Sequence, residues 1–462
     1  MLMKKRMYLN AFEMNCVGHQ SPGLWTHPND QSSRYKEANY WIELAQILEK
    51  YEYDAVFLAD VLGVYDVYGG DDKTSLKEAT QVPINDPMFV IPLMAHVTKH
   101  LGFGVTASVT HEHPYLFARK MTTLDHLTEG RIGWNIVTSY LASAALNMGK
   151  DQPLRHEERY AIAEEFVQVC YKLWEGSWED GAVVRDRKSR TFTHGERVHP
   201  IEHKGKYFEV PGIHLCEPSA QRTPVLFQAG ASPSGRSFAT KHAEFIFIGA
   251  PTIQAAKVFT SRIREETVIN GRDPNDVKII TMITPIVAET TEEAQAKYDE
   301  YVAHSSYEGA LALFGGWTGV DLSSFDPDDE VQYVENDAIR STLESFTTID
   351  PTRKWTIREI AHSIGIGGMG TATVGTKEEV ADELERWMDE ADVDGFNLAY
   401  ALAHDTFEQF GREVIPILKE RGRRGKRVEG SFRHQAFGKG DDLPPYHPAK
   451  HYYNRIHTVK TN

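Results

Sequence analysis

The sequence is poor in cysteine, in positive charge and in long apolar runs, and each shortage removes a class of function. The three cysteines, Cys16, Cys170 and Cys216, are odd in number and far apart, which gives neither a disulfide framework nor a Cys-x-x-Cys metal site. Lys and Arg number 50 against 66 Asp and Glu, for a formal charge of −16. Such a chain repels phosphate backbones, so no nucleic-acid partner is expected. No run of about 18 apolar residues occurs, and no membrane span is expected. The first residues, MLMKKRMYLN, carry charge but not the apolar core of a signal peptide. Neither a GxSxG elbow nor a Walker loop is found, which leaves hydrolase and NTPase templates without a foothold. The expectation is a soluble, acidic, cytoplasmic protein.

Two motifs that are present lead nowhere. GIGGMG at 365–370 matches the dinucleotide fingerprint GxGxxG, which needs its glycines between a strand and a helix. Here the preceding KWTIREIAHSI has helical period. The following TATVGTKEEV reads as a loop, then Thr376 as an N-cap, then a helix. The glycines are therefore expected to form a flexible loop. HEHP at 111–114 offers two histidines without a third ligand, so no metal is expected.

Along the 462 residues, strand-like runs alternate with helical segments. The strands are read at 7–12, 54–60, 102–110, 131–139, 224–230, 244–249, 277–288 and 394–400. Between them YWIELAQILEK places Trp41, Leu44, Ala45 and Leu48 on one helical face, and Gly130 stops the helix that feeds the fourth strand. Strict alternation implies a parallel sheet with helices outside. Eight strands without a repeated nucleotide half-domain favour an α/β fold closed as a (β/α)₈ TIM barrel over residues 1–420. A doubly wound sheet with a cap is the alternative. Residues 176–223 and 304–375 break the repeat and read as insertions. The aromatic-rich 421–462 reads as a C-terminal arm packed on a neighbouring surface, of this chain or another subunit, or as a partly disordered tail.

In such a barrel, chemistry collects where strands end. Strand one delivers Cys16 and His19, which could be a nucleophile pair, half a metal site or a pocket wall. Strand two delivers Asp60, followed by Tyr65. Strands three and four deliver Thr106, Ser108, Asn135, Thr138, Ser139 and Tyr140. The fifth ends in QAGAS, and Gly230, Ala231 and Ser232 before a helix make a phosphate seat. His156 and Tyr160 are one helical turn apart and can point the same way. Together they suggest a phosphorylated ligand with a flat polar head near Asn135 and Thr106.

The segments NAFEMNCVGHQSPGLWTHP, FLADVLGVYDVY, TTLDHLTEGRIGWNIVTS, HEERYAIAEEFVQVCYKLWEGSW, HKGKYFEVPGIHLCEPSAQRTPVLFQAG and DGFNL carry a further signal. In them the chain resembles the flavin-dependent monooxygenases of the bacterial luciferase-like superfamily, in the branch of nitrilotriacetate, long-chain alkane and dimethyl-sulfide monooxygenases. The resemblance runs from about residue 5 to the tail. It implies a luciferase-like TIM barrel taking reduced FMN as co-substrate from a separate NAD(P)H-dependent flavin reductase, and acting on O₂ through a C4a-hydroperoxyflavin. It implies FMN contacts at Asp60, Thr106, His156, Tyr160 and Ser232, with Asn135 beside the ring, and a substrate pocket at Cys16, His19, Tyr65 and Gln81. A homo-oligomer is expected.

Substrate divides the branch. Alkane monooxygenases of this kind carry histidines where this sequence has Tyr140, Ala310 and Leu313. TSYLASAALNMG, EGALALFGGWTGVD and DGFNLAYA look closer to the dimethyl-sulfide enzymes. That implies oxidation of a small organosulfur substrate such as dimethyl sulfide to methanethiol and formaldehyde. An alkane or aminopolycarboxylate monooxygenase, a non-enzymatic flavin- or deazaflavin-binding barrel, and a hydrolase-type barrel using Asp60 and His156 remain the alternatives.

Overall fold

Nine segments pair in parallel, eight of them apolar runs: β1 (Tyr8–Met14), β2 (Ala55–Ala59), β3 (Gly102–Ser108), β4 (Ile132–Val137), β5 (Val225–Ala229), β6 (Phe245–Ile248), β7 (Lys278–Val287), β8 (Thr371–Gly375) and β9 (Gly395–Leu398). The computed structural model describes residues 4–230, 232–331, 346 and 354–457. β1 to β6 neighbour one another in chain order, β6 joins β7, β7 joins β9, and β9 returns to β1. Closure leaves no free edge among these eight, the expected barrel.

The ninth strand corrects the sequence reading. TATVG pairs with the second half of β7, from Ile283↔Thr371 to Val287↔Gly375. Ile283 is also in register with Leu398, so β8 and β9 flank opposite edges of β7. β7 runs for ten residues and outlasts β6, leaving unpaired backbone that TATVG satisfies. Thr376 does cap the following helix, in a reciprocal box with Glu379. The glycines at 365–370 lie between a helix (Ile357–Gly365) and a strand, the reverse of a dinucleotide loop.

Phenylalanines fill the barrel. Phe227 stacks on Phe245 at 4.8 Å and on Phe247 at 5.6 Å. Glycines opposite make the room: a Cβ on Gly104 would stand 2.7 Å from the Phe57 ring, and one on Gly133 2.5 Å from that of Phe227. This core fills the barrel below the mouth and leaves the C-terminal ends of the strands open within it.

The tail packs on its own barrel. Phe432 stacks on Phe245 from below, and Arg433, 1% exposed, holds Glu244 through two bonds of 2.7 and 3.0 Å. The same guanidinium donates to the carbonyls of Thr223, Pro224 and Asp441. Arg424 pairs with Asp54 at 2.6 Å. Within 176–223 the chain forms two small hairpins, Val183–Asp186 with Thr191–Thr193 and His203–Lys204 with Glu209–Val210. Within 304–375 a helix (Tyr307–Thr318), buried from Gly309 to Thr318, packs with Ile357–Gly365 over the barrel mouth. Residues 332–345 and 347–353 of that stretch lie outside the described residues. Among the described residues no helix is long and apolar enough to cross a membrane.

Candidate active site

At the ends of β4 and β5 a cleft of about 170 Å³ opens between the barrel and the helix His156–Gly176. Asp60, Tyr140, His156, Tyr160 and Ser232, all singled out from sequence, line it. The His156 and Tyr160 rings lie 5.1 Å apart, as their one-turn spacing requires. Ser232 caps the helix Pro233–His242, its Oγ accepting from the Gly235 N–H at 3.2 Å. The Tyr160 hydroxyl stands near both: a Cβ on Gly235 would lie 2.7 Å from it and 2.9 Å from Ser232 Oγ. Gly230 admits no side chain, since a Cβ would meet Gln228 Oε1 at 2.2 Å. Ala231 lies outside the described residues.

Arg159 and Gln228 belong to the cleft and were not read from the sequence. Arg159 donates to the Ser139 carbonyl, and Gln228 Nε2 to the Tyr160 hydroxyl at 3.5 Å. The signal for Arg159 was there: it directly precedes Tyr160 in RHEERY and adds a cation to an anion seat. Nothing in LFQAG marks Gln228.

Thr106 and Asn135 are register partners on β3 and β4, and Asn135 Nδ2 donates to Thr106 Oγ1 at 2.9 Å. Asn135 Oδ1 and Gln228 Oε1 are buried with no hydrogen-bond partner. A native fold leaves few such groups. Asn135, in register with Phe227, faces the barrel interior, and Gln228 faces the helix side beside Tyr160, so the pair fits a ligand with ring N–H groups over the barrel and a phosphate at the serine-capped helix, as in flavin mononucleotide.

Cys16, His19, Tyr65 and Gln81 form an adjoining polar cluster above the Phe12 ring, and Tyr140 links the two. The Tyr65 hydroxyl donates to Gln81 Oε1 at 2.8 Å and stands 3.4 Å from the Tyr140 hydroxyl. Gln81 Nε2 donates to the His19 carbonyl at 2.6 Å. The imidazole of His19 sits 4.5 Å from the Phe12 ring. Around this cluster Leu141, Ala310, Leu313, Phe314 and Trp317 make an apolar roof.

Burial sets the charges. It pushes the Asp60 carboxyl up to about 8, helped by the charge of Asp86, so at neutral pH this group is mostly protonated. It holds the His19 imidazole down at about 3, hence neutral. It raises the Cys16 thiol well above its ordinary value, which removes the thiolate that nucleophilic chemistry needs. Among the described residues no group of three His, Cys, Asp or Glu side chains could hold a metal.

The family model for luciferase-like monooxygenases matches residues 15–395. The dimethyl-sulfide monooxygenase of Hyphomicrobium sulfonivorans is 52% identical over 452 residues, covering 97% of this chain and 94% of that protein. The long-chain alkane monooxygenase of Geobacillus thermodenitrificans is 48% identical, covering 98% and 99%. A solved structure of a riboflavin lyase, with modified FMN and its substrate riboflavin, superposes with a TM-score of 0.90 at 35% identity, over 97% of this chain and 99% of that one.

Proposed function

The chain belongs to the luciferase-like monooxygenase family, and from that premise we propose that it uses reduced FMN and O₂ to oxidise a small thioether such as dimethyl sulfide. The monooxygenase class follows from the family; the flavin, the reductase and the substrate are our reading. The observation that carries it is the adjacency of an anion seat to a buried apolar cluster, joined through Tyr140. Ser232, Tyr160 and Arg159 would hold the phosphate at a helix N-terminus. Asn135 Oδ1 would accept from the ring, and a protonated Asp60 adds no repulsion to an anionic ligand. Reduced FMN, when bound, supplies the two electrons that take one oxygen atom of O₂ to water while the other goes to substrate.

This chain's residues do the rest. The buried apolar roof of Ala310, Leu313, Phe314 and Trp317 would exclude water and favour an uncharged apolar substrate. Tyr65, fixed by Gln81, and Tyr140 place hydroxyl groups at the cluster's edge. Insertion of oxygen into a methyl C–H bond of dimethyl sulfide gives a hemithioacetal, CH₃SCH₂OH, which separates into methanethiol and formaldehyde. A separate NAD(P)H-dependent flavin reductase would supply the reduced FMN, the mode of working that the resemblance implies.

The relative named for alkanes supports a second reading. Supplying the protein with FMN, a flavin reductase and NADH in air, with dimethyl sulfide, a long-chain alkane or nitrilotriacetate in parallel, separates them. Formaldehyde and methanethiol are expected with the sulfide, and only with FMN and O₂ present. Alkanol from the alkane, or no sulfide product while flavin binds, would refute the thioether assignment.

A further inference from the structure

The glycine-rich stretch 365–370 packs on the loop that carries His19. Gly367 and Gly368 take φ of +97° and +62°, a backbone that favours glycine. The Gly367 N–H donates to the Gln20 carbonyl at 3.1 Å and to Ser21 Oγ at 3.2 Å. A Cβ on Gly368 would stand 1.7 Å from Gln20 Oε1, so only a glycine lets the Gln20 side chain, 4% exposed, lie where it does. Held there, the Gln20 amide nitrogen is 3.2 Å from His19 Nε2.

An amide nitrogen donates and cannot accept. His19 Nε2 is therefore the acceptor, and the proton of the neutral imidazole sits on Nδ1. Nδ1 is buried with no hydrogen-bond partner, and the Phe12 backbone lies against the imidazole. The Phe12 ring, 4.5 Å away at 65°, packs against the imidazole and restrains its rotation.

We propose that Gln20, pressed into place by Gly368, is a positioning residue that fixes His19 as its Nδ1–H tautomer. His19 is then held as a neutral ring in one orientation, with Nε2 engaged by Gln20 and its N–H on the buried Nδ1. The hydrogen-bond partner of a histidine commonly sets which nitrogen carries the proton; here a glycine loop sets the partner. The proposal rests on the reading of His19 as a site residue, and its test reads the two separately.

The experiment is ¹⁵N spectroscopy of the histidine side chains in the full-length protein, with His19 assigned by subtracting the spectrum of His19→Asn. A neutral Nδ1–H pattern that does not titrate between about pH 6 and 8, the range of an ordinary imidazole, is expected. Gln20→Leu should mix the tautomers, and Gln20→Glu, whose side chain accepts, should move the proton to Nε2. Gly368→Ala should act as Gln20→Leu does, and the two Gln20 variants carry the test if that loop fails to fold. Product formed per flavin oxidised should fall about tenfold in Gln20→Leu, with flavin affinity unchanged. An Nε2–H pattern in the unaltered protein, or a His19 pattern indifferent to both Gln20 variants, overturns the proposal. Tautomers that shift as stated while turnover does not would uphold the clamp and refute the site role of His19.

Discussion

Asp60 makes the affinity of the cleft for an anion depend on pH above neutrality. Its carboxyl is pushed from 3.8 up to about 8, first by burial and then by the charge of Asp86. With that value the ionised fraction rises from about a tenth at pH 7 to about nine-tenths at pH 9, each pH step corresponding to about 1.4 kcal/mol. If FMN binds only the protonated form, its affinity falls about tenfold over that range. A phosphate loses its second proton near about pH 6, so the ligand's own phosphate does not account for the loss. The sign for stability is the same. The folded protein keeps a proton between 3.8 and about 8 that the unfolded chain has released, so stability contributed by this proton is full below 3.8 and gone once pH passes about 8. Fully buried Glu13, also pushed up to about 8, adds to that loss. Anaerobic titration of reduced FMN at about pH 7, 8 and 9 with the unaltered protein and Asp60→Asn is the assay. The variant should bind nearly independently of pH in this range. Identical pH dependence in both proteins would refute the reasoning.

Tyr160→Phe removes one hydrogen bond to a charged phosphate, about 1.5–3 kcal/mol, so FMN should bind about 10- to 100-fold more weakly in the same titration; unchanged affinity rejects the phosphate seat. Gly316→Ala would place a Cβ 1.9 Å from Tyr65 Cδ1, and overpacking of this kind costs about 1–3 kcal/mol. It should lower the melting temperature and displace the Tyr65 hydroxyl from Gln81, cutting turnover more than flavin binding; an unaltered melting curve and turnover would show that the roof helix yields freely. Arg433→Met leaves Glu244 charged and unpaired beneath the barrel, a loss of about 3–5 kcal/mol measurable by urea unfolding. Adding Glu244→Leu should recover most of it, and a double variant no better than the single would contradict the pairing.

The eight barrel strands were legible because each is a short apolar run with turn residues at its ends, a signal that local burial alone imposes. The helix face of Trp41, Leu44, Ala45 and Leu48 and the cap at Thr376 are equally local. Ser232 and the pair His156 and Tyr160 could be placed at one mouth because closure brings strand ends together whatever the details. The strand Thr371–Gly375 was not legible: TATVG has neither sustained apolar character nor length, and it is a strand only because β7 presents it an unpaired edge. Arg159 was legible in hindsight from its place beside Tyr160, whereas Gln228 joins the cleft only because closure sets β5 against the helix that carries Tyr160. The arm at 421–462 found its surface through Phe432 and the Arg433–Glu244 pair, 189 positions apart in sequence. The charge states of Asp60, His19 and Cys16 depend on desolvation, a property of the whole packed interior. Residue type and order therefore determined the elements and the chemistry available to them. Tertiary packing alone decided which of those groups lost water, and with it which are charged.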